Sequence, residues 1–316
     1  MQADLISSIN KKILTTKELI ALRIIFNSNN AVYKFIKENL SIDEVVSLSA
    51  DQLKALSFRK TEDVLIKLNN YESYERQSIE VMEWCENNQI KIVSFFDQLY
   101  PTSLKEILNP SCLIFCAGNT DLLGPKNSIA VVGARQCSEY GEKITRGVAK
   151  FFSSNNINII SGLALGIDTF AHEESLNSNG STTAVLIDLM KISPSQNKKL
   201  AKKIIANHGL IISENIPGTL PEKYHYVARN RLQVALSKGI FIIEAKLGSG
   251  TNTTAEFASS QNKKIFCPDI TDIDEYPILS GLNDLPRQLI AEGAERFTKK
   301  TYSQILEFLN SDSSTY

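Results

Sequence analysis

The chain has 316 residues, a length suited to about two domains. Apolar residues make up 43% and charged residues 22%, so a core of normal size is available and wholesale disorder is excluded. Lys and Arg number 34 against 35 Asp and Glu, a net charge of −1, which excludes a polybasic surface overall but leaves room for a basic stripe on one face.

The first 97 residues contain no glycine. Leu, Ile, Lys and Glu recur there at helical spacing, as in 17–26 and 45–56. Ser49 and Asp51, just before an apolar run, mark a helix start. The pattern predicts a small all-helical domain over 1–88, ending in a longer helix across 72–88 that carries Trp84. From about residue 90 the pattern changes. Residues 91–96 read as a short strand, Pro101 breaks the chain, and 113–119 read as a second strand. Residues 128–133 are a continuous apolar strand of the kind buried on both faces of a parallel sheet. Helices at 144–152, 166–176, 197–207, 229–237 and 252–261 then alternate with strands at 157–162, 182–187, 210–214, 239–245 and 264–268. This alternation predicts an α/β fold, a doubly wound, Rossmann-like, mainly parallel sheet over 89–296, with a short C-terminal helix and tail over 297–316.

The five cysteines (85, 112, 116, 137 and 267) are odd in number and follow no secretory signal. They are expected to be reduced thiols in a cytoplasmic protein. Cys112 and Cys116 have no second Cys or His pair to complete a zinc site, so no metal is expected. No apolar run approaches the ~18 residues of a membrane span.

In such a sheet, ligands bind beyond the C-terminal ends of the strands. After the strand at 128–133, Gly133 allows a tight turn, Arg135 projects at the strand end, and Ser138 is placed to cap a helix whose N-terminus favours an anion. No G-x-G-x-x-G is present, which argues against a dinucleotide oxidoreductase. After the strand at 157–162, Gly162 and Gly166 let backbone approach a phosphate. Asp168 and His172 lie four apart on one helix face. They read either as an acid–base pair or, preferably, as an intrahelical pair that holds the loop, since no nucleophile clusters with them. Residues 213–231 contain two prolines and then Lys223, Tyr224, His225, Tyr226, Arg229 and Arg231. Cations interleaved with rings suit a nucleic-acid strand. A solvated helix start over packed tyrosines fits the same composition. Ser249, Gly250 and Thr251 open a helix as an anion nest without a Walker lysine. No catalytic residues and no cofactor are expected.

The ordered stretches DQLYPTSL from Asp97, IAVVGAR from Ile129, SGLALGIDTFAH from Ser161, RNR from Arg229 and SGT from Ser249 resemble the DNA-processing protein A (DprA/Smf) family over about residues 84–294. The resemblance implies a non-enzymatic protein that binds single-stranded DNA and acts as a homodimer. It also implies mediation of recombination through a RecA-type recombinase, in natural transformation or in a related DNA-processing or defence role. It makes Arg135 a phosphate contact, Lys223 a loop lysine on the strand, and Tyr226 the ring that stacks on a base. Gly133, Ser138, Gly162, Gly166 and Gly250 match backbone phosphate positions. The chain departs from the family pattern at Val227, at Asp188–Pro194, at Asp269 and in an insertion at 270–281. A different class, the nucleotide-derivative sensors and phosphoribohydrolases of the "lonely guy" type, shares a Gly-Thr…Glu loop comparable to 249–256, though the Pro-Gly-Gly of that motif is missing here.

Overall fold

The computed structural model describes residues 13–124, 127–269 and 281–311. The expected insertion at 270–281, apart from Gly281, and residues 312–316 of the tail lie outside the described residues. The chain divides into two compact units. One comprises Met1–Tyr100, Leu108–Phe115 and Glu214–Pro217, the other Pro101–Ile107, Cys116–Ser213 and Gly218–Tyr316.

The first unit contains α1 (Thr16–Phe26), α2 (Asn29–Lys37), α3 (Ile42–Val46), α4 (Ala50–Ala55), α5 (Thr61–Asn69) and α6 (Tyr71–Asn87). Three of these start on reciprocal caps, Thr15 with Glu18, Ser41 with Glu44 and Ser49 with Gln52, which satisfy backbone donors that a helix start leaves free. Leu19, Ile20, Leu22 and Ile25 of α1 and Val32 and Phe35 of α2 are fully buried. Phe35 stacks on Phe58 at 5.3 Å and meets Phe26 at 5.4 Å. The unit also holds β1 (Ile90–Ser94) and the first residues of β2 (Leu113–Gly118). The buried Glu214 carboxylate accepts from Asn29 Nδ2 at 2.6 Å and Ser111 Oγ at 2.5 Å.

The second unit begins with α7 (Thr102–Lys105) and the end of β2. It continues through β3 (Ser128–Val132), α8 (Glu139–Ser154), β4 (Asn158–Ser161), α9 (Ile167–Asn177), β5 (Thr182–Val185), α10 (Lys198–Ala206) and β6 (Leu210–Ser213). It then runs through α11 (Lys223–Ala235), β7 (Gly239–Ile242), α12 (Gly250–Ser260), β8 (Lys264–Pro268), α13 (Asp284–Ala291), β9 (Glu295–Phe297) and α14 (Tyr302–Asn310). The strands lie in the order β6-β5-β4-β3-β7-β8-β9. Each neighbouring pair is parallel, as in Ala130 opposite Ile160 on one side of β3 and Ile240 on the other. Every residue of β3, β4, β5, β6 and β7 is buried, as the apolar runs predict for a sheet covered on both faces. The chain winds outward from β3 to β6, then returns to the other side of β3 as β7. The doubly wound expectation holds, and β3/β7 is the switch point.

Several features depart from the sequence reading: α8 starts at Glu139 rather than 144, and α7 and α13 have no counterpart among the predicted helices. α11 starts at Lys223, not at 229, because His225 Nδ1 accepts the Glu222 N–H at 3.1 Å and caps the helix early. Lys223 and Tyr226 therefore sit in a helical first turn, not in a loop. The edge strand β9 was not foreseen, since its three residues carry no period of their own and two of them are exposed. Tyr302, Ile305 and Leu309 of α14 pack into the cluster formed by Val148, Phe152, Phe241 and Phe297.

Candidate nucleic-acid interface

Two adjoining cavities open at the C-terminal ends of β3, β4, β5 and β7. The smaller, about 110 Å³, has an apolar floor of Leu165, Leu186, Ile187, Pro194 and Pro221. Around it stand Gly162, Asp188, Lys191, Ser193 and Arg229. The larger, about 230 Å³, runs from Gly133 to the start of α12, with Ser249, Gly250, Thr251 and Thr254 on one side and Val227, Asn230 and Gln233 of α11 on the other. Arg135, Ala164, Tyr226 and Arg229 line both. The Arg135 guanidinium lies over the Tyr226 ring, 5.7 Å from its centre. Arg135 is exposed and Tyr226 half-buried, so cation and ring share one accessible wall.

Several residues expected at a phosphate are committed inside the protein. Ser138 caps α8, accepting from Gly141 N at 3.1 Å. Its hydroxyl and its N–H both donate to the buried Glu244 carboxylate, at 2.5 and 2.8 Å. Glu244 thus occupies the anion seat at the α8 N-terminus, and a side chain on Gly141 would overlap it. Burial and the nearby Glu244 charge push the Cys137 thiol up to about 11, so it stays protonated at neutral pH. Gly162 makes room for the Arg229 guanidinium, which a Cβ there would overlap. Gly166, at φ +75°, packs its backbone against the Ala134 and Arg135 carbonyls. Arg231 is buried and donates to the Ala228 carbonyl at 2.9 Å. Lys223 is exposed but lines neither cavity.

Arg229 is also largely internal. It is 7% exposed and donates to the Val185 carbonyl at 2.5 Å. Burial lowers its guanidinium from the usual range, opposed by the charge of Asp168. Asp168 accepts from Gly162 N at 3.0 Å and Ala164 N at 3.3 Å, which shapes the β4–α9 loop. Burial raises its carboxyl, and the Arg229 charge works against that rise. His172 meets Thr182 Oγ1 at 2.7 Å, and burial with the Arg229 charge depresses it to about 3, so it is neutral. Asp168 does hold the loop, but its partners are backbone N–H groups and it forms no pair with His172. Glu256, the glutamate of the hydrolase alternative, is exposed, accepts from Asn252 Nδ2 at 2.7 Å and lines neither cavity.

The fold therefore gathers Gly133, Arg135, Tyr226, Arg229, Ser249, Gly250 and Thr251 around the larger cavity and places Gly162 at the smaller. It leaves Ser138, Gly166, Lys223 and Arg231 outside both. Lys191 and Gln233 were missed. Lys191 lies after β5 in the stretch 188–194, where the chain departs from the family pattern and no motif singles out a cation. Gln233 is four residues after Arg229, on the same face of α11, and its amide interrupts an apolar run. All five cysteines are free thiols. Among the described residues no cluster of His, Cys, Asp or Glu could hold a metal, and no helix is long and apolar enough to cross a membrane.

A family model described as DNA recombination-mediator protein A matches residues 91–310, which covers both cavities. The chain belongs to this family. The DNA processing protein DprA of Streptococcus pneumoniae is 41% identical over 207 residues, 65% of this chain and 70% of the relative. The X-ray structure of DprA from Streptococcus pneumoniae superposes with a TM-score of 0.75 at 32% identity, covering 93% of this chain and 98% of the other. DNA processing protein A from Helicobacter pylori, whose structure is described in terms of a unique single-stranded DNA binding mode, superposes with a TM-score of 0.61 at 28% identity, over 70% of this chain and 97% of that one. These likenesses make the Rossmann-like sheet of the second unit a DprA-type sheet.

Proposed function

We propose that the chain binds single-stranded DNA across the two cavities and acts as a recombination mediator of the DprA type. The observation that carries this is the Arg135–Tyr226 pair, a cation and a ring on the shared wall of both cavities at the switch point of the sheet. Cations neutralise phosphates and an accessible ring stacks on any base, so the site favours an unpaired strand without strong sequence choice. Lys191 and Lys223 extend the positive margin, and Ser249, Gly250 and Thr251 offer a helix N-terminus to a phosphate. The single-stranded DNA binding mode named for the Helicobacter pylori relative supports the same reading. In this role the protein works without turnover in the cytoplasm, as a homodimer, and delivers the strand to a RecA-type recombinase. The internal bonds of Asp168 and His172 and the outward position of Glu256 support the non-enzymatic assignment.

Fluorescence anisotropy with short single- and double-stranded oligonucleotides tests the proposal. Single strands are expected to bind more tightly, with log K falling against log salt by about 0.7 per neutralised phosphate. Equal affinity for duplex, or affinity independent of salt, refutes it.

A further inference from the structure

Three residues that line the larger cavity each carry a buried side-chain polar atom that the folded chain leaves without a partner. The Gln233 side-chain oxygen, the Ser249 hydroxyl and Arg229 Nε all lack a hydrogen bond, and all three residues line this one cavity. Gln233 is 1% exposed. Folded proteins leave few buried polar atoms unpaired, so a cluster of an acceptor, a hydroxyl and an N–H donor marks a place completed from outside. The same cavity receives the N-terminus of α12, an eleven-residue helix whose Ser249 N-cap makes no side-chain cap bond. A Cβ at Gly250 would meet nothing within 4 Å, so the backbone there faces open space. The first N–H groups of a helix have no intrahelical acceptor and draw an anion. At about 230 Å³ the cavity far exceeds the ~30 Å³ share of one water and falls below the ~300–1,000 Å³ of drug-sized sites.

We propose that this cavity is a nucleotide subsite in which the α12 N-terminus and the Ser249 hydroxyl take the phosphate and Gln233 accepts a hydrogen bond from an N–H on the base. Arg135 and Tyr226 then form the partition between this nucleotide and its neighbour in the smaller cavity. For a nucleotide within a strand the inference rests on the DNA-binding reading above, whereas a free nucleoside monophosphate presents the same chemistry independently.

The experiment compares oligothymidylate with a strand of N3-methylthymine, which keeps rings and phosphates but loses the base N–H. Anisotropy titrations use the wild-type protein, Gln233→Leu and Arg135→Ala, with melting curves for each. Methylation is expected to weaken wild-type binding about two- to tenfold, the value of one neutral hydrogen bond, and to make no difference to Gln233→Leu. Equal wild-type affinity for both strands overturns the subsite and needs no variant to be folded. Persistent discrimination by a folded Gln233→Leu overturns it too. In either case a loss in Arg135→Ala leaves the DNA reading intact. If the wild type binds neither strand, the DNA reading fails, and titration with deoxythymidine monophosphate against thymidine decides the subsite. Phosphate-dependent binding that Gln233→Leu loses sustains it for free nucleotides, and no binding overturns it.

Discussion

Replacing Arg229 by Met separates two roles that its position in a run of cations and rings leaves open. The change keeps most of the side-chain volume and removes the charge. Two interactions disappear: the bond to the Val185 carbonyl and the counter-charge beside Asp168, a carboxyl only 5% exposed. Asp168 retains its two backbone N–H bonds. Losing a hydrogen bond made by a charged group, together with the nearby counter-charge of a buried carboxyl, costs about 1.5–3 kcal/mol. At about 2–4 °C per kcal/mol for a unit of 150–250 residues, the melting temperature should fall by about 3–12 °C. The loss should depend on pH. Burial already raises the Asp168 carboxyl, and removing Arg229 raises it further. A carboxyl with a raised folded value binds more protons folded than unfolded. Its contribution is therefore present at low pH and is lost as pH rises from the unfolded value of about 3.9. The deficit of Arg229→Met should be smaller near pH 5 than at pH 8, read by calorimetric or circular-dichroism melts. A variant that melts with the wild type at both pH values yet loses DNA affinity would make Arg229 a phosphate contact and refute this account.

Tyr226→Ala should lose about ten- to a hundredfold in single-strand affinity with an unchanged salt slope, since a stacked base is worth roughly 1–3 kcal/mol, while Tyr226→Phe should lose little; anisotropy titrations at several salt concentrations measure both. Arg135→Ala and Lys191→Ala should each weaken binding to every sequence and flatten the log–log salt slope by about 0.7, and the same titrations on Arg231→Ala should show no change of slope. Ser138→Ala should leave DNA affinity alone and lower stability by about 1–2 kcal/mol in denaturant titrations, because it removes a helix cap and one donor to Glu244.

The parallel sheet was legible because apolar runs such as 128–133 have no other stable use than a strand covered on both faces. The start of α11 was not, because its cap is a histidine reaching back three residues, outside the usual Ser, Thr, Asp and Asn signal. Gly162 and Gly166 read in the sequence as places where the backbone approaches a phosphate. What approaches them is Arg229 and the Ala134 and Arg135 carbonyls, partners set by the tertiary fold and invisible in local spacing. Ser138 failed in the same way, since an anion seat was recognised but its occupant comes from more than a hundred residues along the chain. Arg135 was placed at the switch point by its strand end and Tyr226 by the family resemblance, whereas Gln233 is a single amide in an apolar run and acquires meaning only when the cavity is seen.

Glu244 has a consequence for how the fold relates to its surroundings. In many doubly wound proteins the turn after the first central strand receives a ligand's phosphate, so the folded state gains stability in proportion to ligand concentration. Here a carboxylate belonging to the chain fills that position in every molecule, with Ser138 as donor through both backbone and side chain. Its local concentration is set by covalent connection and does not vary with the metabolic state of the cell. The seat at the α8 N-terminus therefore stays filled whether nucleotides are scarce or abundant, and ligand-dependent stabilisation is left to the cavity at the α12 N-terminus.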